Sequence, residues 1–335
     1  MLIPKPVKKT PRQEAQSKKD LKAAQKRSKD PSGAGAASAR LVARRLTSHD
    51  VRNLSGHGSD FHFSDLIVVV HRFFNFSLRP QGRVFRASKH KMAVFTEISK
   101  AQLGELLSHY DIGQAQSLKG IASGIENSNF YLDTDKGKYV LTIFERLNKD
   151  QLPYYLELTS HLGKKCLAVS YPIPRKDGGL LSEINGKPCS IAPCLSGTYV
   201  EKPSAKACRE MGEMLAKMHN AVEDFPLSQE NTKGSAFWLS SKPLLKPYIP
   251  ERLYQMLEKE VNHQLELQRS PEYQALPSGA VHADLFRNNA LISVDGNVES
   301  LAGVIDFYFA CNAPFLYDLA VTLNDWTLLY PSSIA

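Results

Sequence analysis

Large apolar residues are sparse over residues 1–45, which are rich in Lys, Ala, Ser and Arg. Such a segment cannot bury enough surface to offset its ordering entropy, so disorder or a frayed helix is expected. Residues 46–91 mix an apolar run, Leu66-Ile67-Val68-Val69-Val70, with Arg and His and carry no motif. From Thr96 the pattern becomes that of a globular chain. Ser99 is placed to cap a short helix over residues 102–110. Phe130-Tyr131-Leu132 and residues 139–144 read as strands, with Asp135-Lys136-Gly137 as the turn between them. A helix is expected over residues 150–164, with Pro153 in its first turn and Leu152, Tyr155, Leu156 and Leu162 on one face. Residues 180–184 and 189–192 flank Asn185-Gly186, a strong two-residue hairpin turn. The sheet is expected to end at Pro193-Cys194-Leu195-Ser196-Gly197. Ser204 then caps a helix running through Met211, Leu215 and Met218 to His219, and residues 250–268 form an amphipathic helix. A last helix follows Pro314-Phe315-Leu316-Tyr317-Asp318-Leu319-Ala320.

Charge sharpens the division of the chain. The 335 residues carry a formal net charge of +8, but residues 1–91 hold 20 Lys/Arg against 6 Asp/Glu, and residues 92–335 hold 22 against 28. The basic character belongs to the leader, so it does not point to a nucleic-acid-binding enzyme. Residues 1–91 are read as a basic, disordered extension with no specific nucleic-acid partner, and Met92 as the true start, with a genuine regulatory extension as the competing reading. Cys166, Cys189, Cys194, Cys208 and Cys311 form no Cys-x-x-Cys pair, and no His cluster completes a zinc spacing. They are read as small buried thiols in a reducing cytoplasm. Residues 61–78 contain His62, Asp65, His71 and Arg72. A membrane span needs about 20 mostly apolar residues, so none is expected, and the basic start lacks the prompt apolar core of a signal peptide.

Two stretches carry chemistry. His282, Asp284 and Asn289 form a His-x-Asp-x-x-x-x-Asn loop, followed by Asp306 in Val-Ile-Asp-Phe-Tyr-Phe. Phosphoryl transfer from ATP needs a carboxylate at the acceptor hydroxyl, and an amide oxygen with a second carboxylate to hold Mg²⁺. Protein kinases space the catalytic Asp and the metal-binding Asn in this way, with the metal Asp in Asp-Phe-Gly; here Asp306-Phe307-Tyr308 stands in its place. The second stretch, residues 117–129, puts Gly, Ser and Asn between two strands, where backbone N–H groups can cover phosphates. Gly120, Ser123, Gly124, Asn127, Ser128 and Asn129 are the ATP-contacting candidates there. Ala192 and Cys194, at the sheet edge before the helices, are the candidates for gripping adenine through the backbone. Glu157 is either the helix partner of a strand lysine or a solvated charge. His219 is read as structural.

These residues resemble the choline kinase and aminoglycoside phosphotransferase superfamily over residues 92–335. The Asn-Ser-Asn loop, Thr142-Ile143-Phe144-Glu145 and residues 305–310 look like its homoserine kinase branch. The resemblance implies an α+β, protein-kinase-like two-lobe fold: a small antiparallel β-rich N-lobe at 92–197 and a helical C-lobe at 198–335. It implies ATP and Mg²⁺ as cofactors and L-homoserine as acceptor, on the path to threonine, with no membrane partner and no oligomeric state specified. Carried over by position, Asp284 is the catalytic base, His282 braces the loop, and Asn289 and Asp306 bind Mg²⁺. Asp318 is expected to stabilise the loop region. Another small alcohol, such as choline or an aminoglycoside, and a non-catalytic nucleotide-binding remnant are the alternatives.

Three departures stand out. The strand position where many relatives carry a phosphate-binding Lys or Arg is Thr142, so Lys119, Lys138 or Arg146 is expected to substitute. Phe286 stands where protein kinases have a Lys, and Arg287 beside it either steadies the phosphoryl group or forms a structural ion pair. The chain ends at Ala335, where relatives continue for several dozen residues, so an incomplete C-lobe is expected.

Overall fold

The computed structural model describes residues 96–121, 127–296 and 298–326. The extension at 1–91, Met92, Ser123, Gly124 and the segment after Trp326 lie outside the described residues. Those described fall into two compact units: Lys233–Gln268, and the remainder.

The larger unit opens with α1 (Lys100–Ser108). Ser99 Oγ accepts the Gln102 N–H while the Gln102 side chain accepts the Ser99 N–H, a reciprocal capping box. The helix therefore starts directly after Ser99 and stops short of Tyr110. Next come β1 (Ala115–Gly120), β2 (Asn127–Thr134), β3 (Gly137–Phe144), α2 (Pro153–Lys164), β4 (Ser182–Ile184) and β5 (Lys187–Pro193). Between β4 and β5, Asn185 and Gly186 take φ of 52° and 73°, the left-handed pair that this hairpin turn requires. The five strands form one antiparallel sheet in the order β1-β2-β3-β5-β4.

Strand alternation gives the sheet two unlike faces. Phe130, Leu132, Leu141, Ile143, Cys189 and Ile191 pack with Leu103, Leu106 and Leu107 of α1. Asn129, Tyr131, Val140, Thr142, Ser190 and Ala192 alternate to the opposite face. Of the residues assigned to the Gly/Ser/Asn loop, Asn127, Ser128 and Asn129 thus belong to β2, which already begins at Asn127, and Gly120 is the last residue of β1. Ser128 is fully buried and donates to Glu145 Oε1 at 2.5 Å. Glu145 also accepts from Thr96 Oγ1 at 2.7 Å and pairs with Lys187. Asn129, on the other face, accepts the Thr142 hydroxyl at 2.9 Å.

Beyond the sheet, α3 (Ala205–Ala221) is capped by Ser204, whose Oγ accepts the Ala207 N–H. In the smaller unit, α4 (Ser235–Leu245) and α5 (Glu251–Leu267) enclose a cluster of Leu245, Ile249, Tyr254, Leu257 and Val261. The larger unit resumes with α6 (Pro271–Gln274), β6 (Ser278–Val281), β7 (Ala290–Asp295), β8 (Val298–Val304), β9 (Cys311–Pro314) and α7 (Phe315–Trp326). β6 pairs with β9 and β7 with β8. The last helix starts at Phe315, so Asp318-Leu319-Ala320 lies inside it rather than before it. Buried Tyr155, Leu158, Met211, Leu215, Leu285, Ile292, Phe307 and Trp326 join α2, α3, β7 and α7 in one core. Gly197 takes φ +90°, and a Cβ there would sit 2.5 Å from the Ile292 carbonyl, so only glycine fits where the linker after the sheet reaches β7 and Thr198 bridges to Ile292.

The cysteines are all free; Cys189 and Cys311 are buried, whereas Cys166 is exposed, against the expectation for a core thiol. No helix among the described residues is long and apolar enough to cross a membrane.

Candidate active site

β6 delivers the chain into the 282–289 loop, and the pairing of β6 with β9 sets that loop beside the 305–310 turn. The loop bends sharply: the Phe286 N–H reaches back to the Asp284 carbonyl at 2.8 Å, and the Asn289 N–H to the Phe286 carbonyl at 2.9 Å. Asp284 and Asn289 are both buried. Asn289 Nδ2 donates to the Asp284 carbonyl at 2.7 Å and to its Oδ2 at 2.9 Å. Using the amide nitrogen in this way fixes the amide plane and leaves Oδ1 as the acceptor end of Asn289.

His282 ties this loop to Asp306. Its Nδ1 accepts the Asp284 N–H at 3.2 Å, so the proton sits on Nε2, which donates to the Ile305 carbonyl at 3.0 Å. The Ile305 N–H donates in turn to the Asn289 carbonyl at 2.9 Å. Asp306 follows with φ +67°, in the left-handed region that a short acidic side chain tolerates. Local strain of this kind survives where the surroundings over-determine it. Tyr308 continues the turn and meets Phe144 of β3 edge-on at 5.1 Å.

The bracing expected of Asp318 has a concrete form. This fully buried side chain accepts the N–H of His282 at 3.1 Å and of Ala283 at 2.9 Å. It also accepts His219 Nε2 at 3.0 Å, with His219 stacked on Phe315 at 4.4 Å. Ala283 itself is held at φ +63°.

Of the two roles open to Arg287, the ion pair is the one formed. Its N–H and Nε donate to Asp325 Oδ2 at 2.7 and 3.1 Å, its Nη2 to Asp325 Oδ1 at 3.5 Å, and its Nη1 to the Glu201 carbonyl. Asp325 and Trp326 were not singled out in the sequence; their spacing from Asp318, two helical turns on, is the signal that could have found them. Glu157 is exposed on α2, the solvated-charge alternative.

At the end of β5, the Cys194 N–H donates to the Lys138 carbonyl at 3.0 Å, and Ala192 pairs with Val140. These two residues therefore point their backbone groups into the sheet. By alternation, the Pro193 carbonyl faces away from β3, one residue displaced from Ala192 and Cys194, and Leu195 follows just past the strand end. Ser128 is spent on Glu145, so among the loop candidates Asn127 and Asn129 alternate to the sheet's other face with Lys119 and Lys138, while Gly120, opposite Phe130, ends β1.

Burial pushes the His282 imidazole below its usual range, against the opposing pull of the Asp318 carboxylate. A depressed folded-state value means the unfolded chain takes up a proton that the folded chain rejects. The stability that neutral His282 contributes is present above the unfolded value of 6.5 and is lost as pH falls through the lower folded value. Melting curves should show a larger acid-induced drop for the wild type than for His282→Asn; parallel drops would contradict this assignment.

Residues 117–333 match the phosphotransferase enzyme family, APH. The chain is 45% identical over 241 residues to the homoserine kinase of Cupriavidus pinatubonensis, spanning 71% of this chain and 73% of that protein. It is 44% identical over 245 residues to the homoserine kinase of Burkholderia pseudomallei, spanning 72% and 74%. Its fold resembles that of an amicoumacin kinase solved with AMP-PNP, Ca²⁺ and Ami, with a TM-score of 0.51 over 67% of this chain and 68% of that one. At 16% identity that likeness concerns the fold alone. A family match over most of the chain, with relatives at this level of identity, decides the question: the chain belongs to the phosphotransferase enzyme family.

Proposed function

We propose that the protein transfers the γ-phosphoryl group of ATP to the side-chain hydroxyl of L-homoserine, giving O-phospho-L-homoserine in cytoplasmic threonine biosynthesis. The observation that carries the acceptor is the similarity to homoserine kinases across nearly three quarters of their length. The loop geometry supports the reaction class. The Asp284 carboxylate is buried and oriented by Asn289, as a base that must meet one hydroxyl requires. As the hydroxyl oxygen bonds to the γ-phosphorus, the bond to the β-phosphate oxygen breaks, ADP departs, and the hydroxyl proton passes to Asp284. Transition states of this kind are loose, so holding the two reactants in line contributes more than full deprotonation.

The donor set suits Mg²⁺. Asn289 Oδ1 and the Asp306 carboxylate are hard oxygen ligands, and a site of one or two such groups completed by substrate phosphates is usual for this ion. When bound, Mg²⁺ would neutralise charge on the phosphates. His282 holds the loop against the Asp306 turn by bonding both the Asp284 amide and the Ile305 carbonyl, and the Ile305 N–H bond to the Asn289 carbonyl keeps the two ligands in register. The nucleotide is assigned to the sheet face carrying Asn129, Tyr131, Val140 and Thr142. Adenine would lie against the outward Pro193 carbonyl and the backbone of Leu195, and Gly120 and Asn127 would lie near the phosphates.

An ADP-release assay across L-homoserine, choline and an aminoglycoside tests the acceptor. A kcat/KM favouring homoserine by about 10²-fold or more is expected, since a site built to bond a substrate's polar groups rejects compounds lacking them. Preference for another acceptor would overturn the substrate, and nucleotide binding without turnover on any would overturn the reaction.

A further inference from the structure

We propose that Asp325, seconded by Trp326, is a positioning residue that fixes the catalytic segment on its C-terminal side. This rests on the reading of Asp284 as the catalytic base. α7 contacts the loop at three places on one face. Asp318 takes the amides of His282 and Ala283, before Asp284. Two turns on, Trp326 Nε1 donates to the Leu285 carbonyl at 3.2 Å, and Asp325 accepts the Arg287 amide at 2.7 Å, after Asp284. Residues two turns apart share a helix face, so a single rigid element grips both flanks of the base.

The charge chemistry explains why Arg287 accompanies Asp325. A carboxylate that accepts a main-chain N–H and pairs with the guanidinium of the same residue is fixed at both oxygens. The third guanidinium nitrogen is anchored on the Glu201 carbonyl, between β5 and α3. All three side-chain nitrogens of Arg287 are thus engaged by the protein. The side chain serves as a strut for the carboxylate, and the main-chain bond to Asp325 does the positioning.

This ordering is testable in the full chain with Asp325→Ala, Asp325→Asn, Trp326→Phe and Arg287→Ala. Asp325→Ala should lower kcat for homoserine by about 10²-fold, the scale of a misplaced catalytic group. KM for ATP should move by less than about twofold, because ground-state nucleotide contacts are untouched. Asp325→Asn, which keeps an oxygen for the Arg287 amide, should recover part of the loss, and Arg287→Ala, which keeps the main-chain bond, should cost less than Asp325→Ala. Hydrogen exchange should quicken at residues 285–288 in Asp325→Ala and Trp326→Phe while the amides held by Asp318 stay protected. An unchanged kcat, unchanged exchange, or a greater loss in Arg287→Ala than in Asp325→Ala would overturn the proposal. The last of these would place Arg287 on the transferring phosphoryl group. If the wild type fails to phosphorylate homoserine, the functional reading fails, while the exchange measurement still decides whether Asp325 holds the loop.

Discussion

Replacing Asp284 by Ala lowers kcat for phosphoryl transfer by about 10² to 10⁴-fold, the usual contribution of a positioned general base. KM for ATP should stay near the wild-type value, because the carboxylate is proposed to meet the acceptor hydroxyl and not the nucleotide. The melting temperature also changes little. Asn289 Nδ2 keeps its bond to the residue-284 carbonyl, and the residue-284 amide keeps its bond to His282 Nδ1, since both are main-chain contacts. Asp284→Asn is the sharper control: it preserves the shape and removes the basicity. A loss of only a few fold in either variant, measured at saturating ATP and acceptor, would remove Asp284 from the role of base.

The largest effect on stability is expected at Asp318. Truncation to Ala leaves the amides of His282 and Ala283 and the Nε2–H of His219 without their acceptor in a fully buried place. Removing one partner from a buried charged network costs about 3–5 kcal/mol, largely the penalty of stranded donors. Ala283 is held in the left-handed region at a cost of roughly 1–3 kcal/mol, so without Asp318 the loop is expected to relax and recover part of that strain. In a domain of this size the loss corresponds to a melting temperature lower by roughly 10 °C, with activity falling as the loop relaxes. Asp318→Asn retains one acceptor oxygen and should lie between. A melting curve for Asp318→Ala within a degree or two of wild type would show that another group holds the loop.

The hydrogen-bonded 282–289 loop is legible in the sequence because it is local: His282, Asp284 and Asn289 lie within one turn of chain, and their spacing is set by that turn. The same holds for Ser99, Ser204 and Asn185-Gly186, where a side chain or a positive φ acts on its nearest neighbours. Residues whose role depends on strand phase were harder. Ser128 and Asn129 look like loop residues by type, yet a strand beginning at Asn127 sends one to Glu145 and the other to Thr142. Cys194 and its neighbours differ only by the alternation of one strand, which no local signal sets. The partner of Arg287 lies far along the chain on α7, so the choice between phosphate contact and ion pair needed the packing of that helix. Helix α4 was missed for a related reason. Its serines and the internal Pro243 obscure the periodic signal, and its apolar residues find their partners on α5.

Phosphoryl transfer from ATP to homoserine, with Asp284 as base, is the reaction proposed for this protein. Its most direct test is to incubate the full chain with Mg-ATP and L-homoserine and to identify the products by mass spectrometry and ³¹P NMR. The wild type should form O-phospho-L-homoserine in step with ADP, and Asp284→Ala almost none. A wild-type protein that binds Mg-ATP yet forms no phosphohomoserine would contradict the proposed reaction.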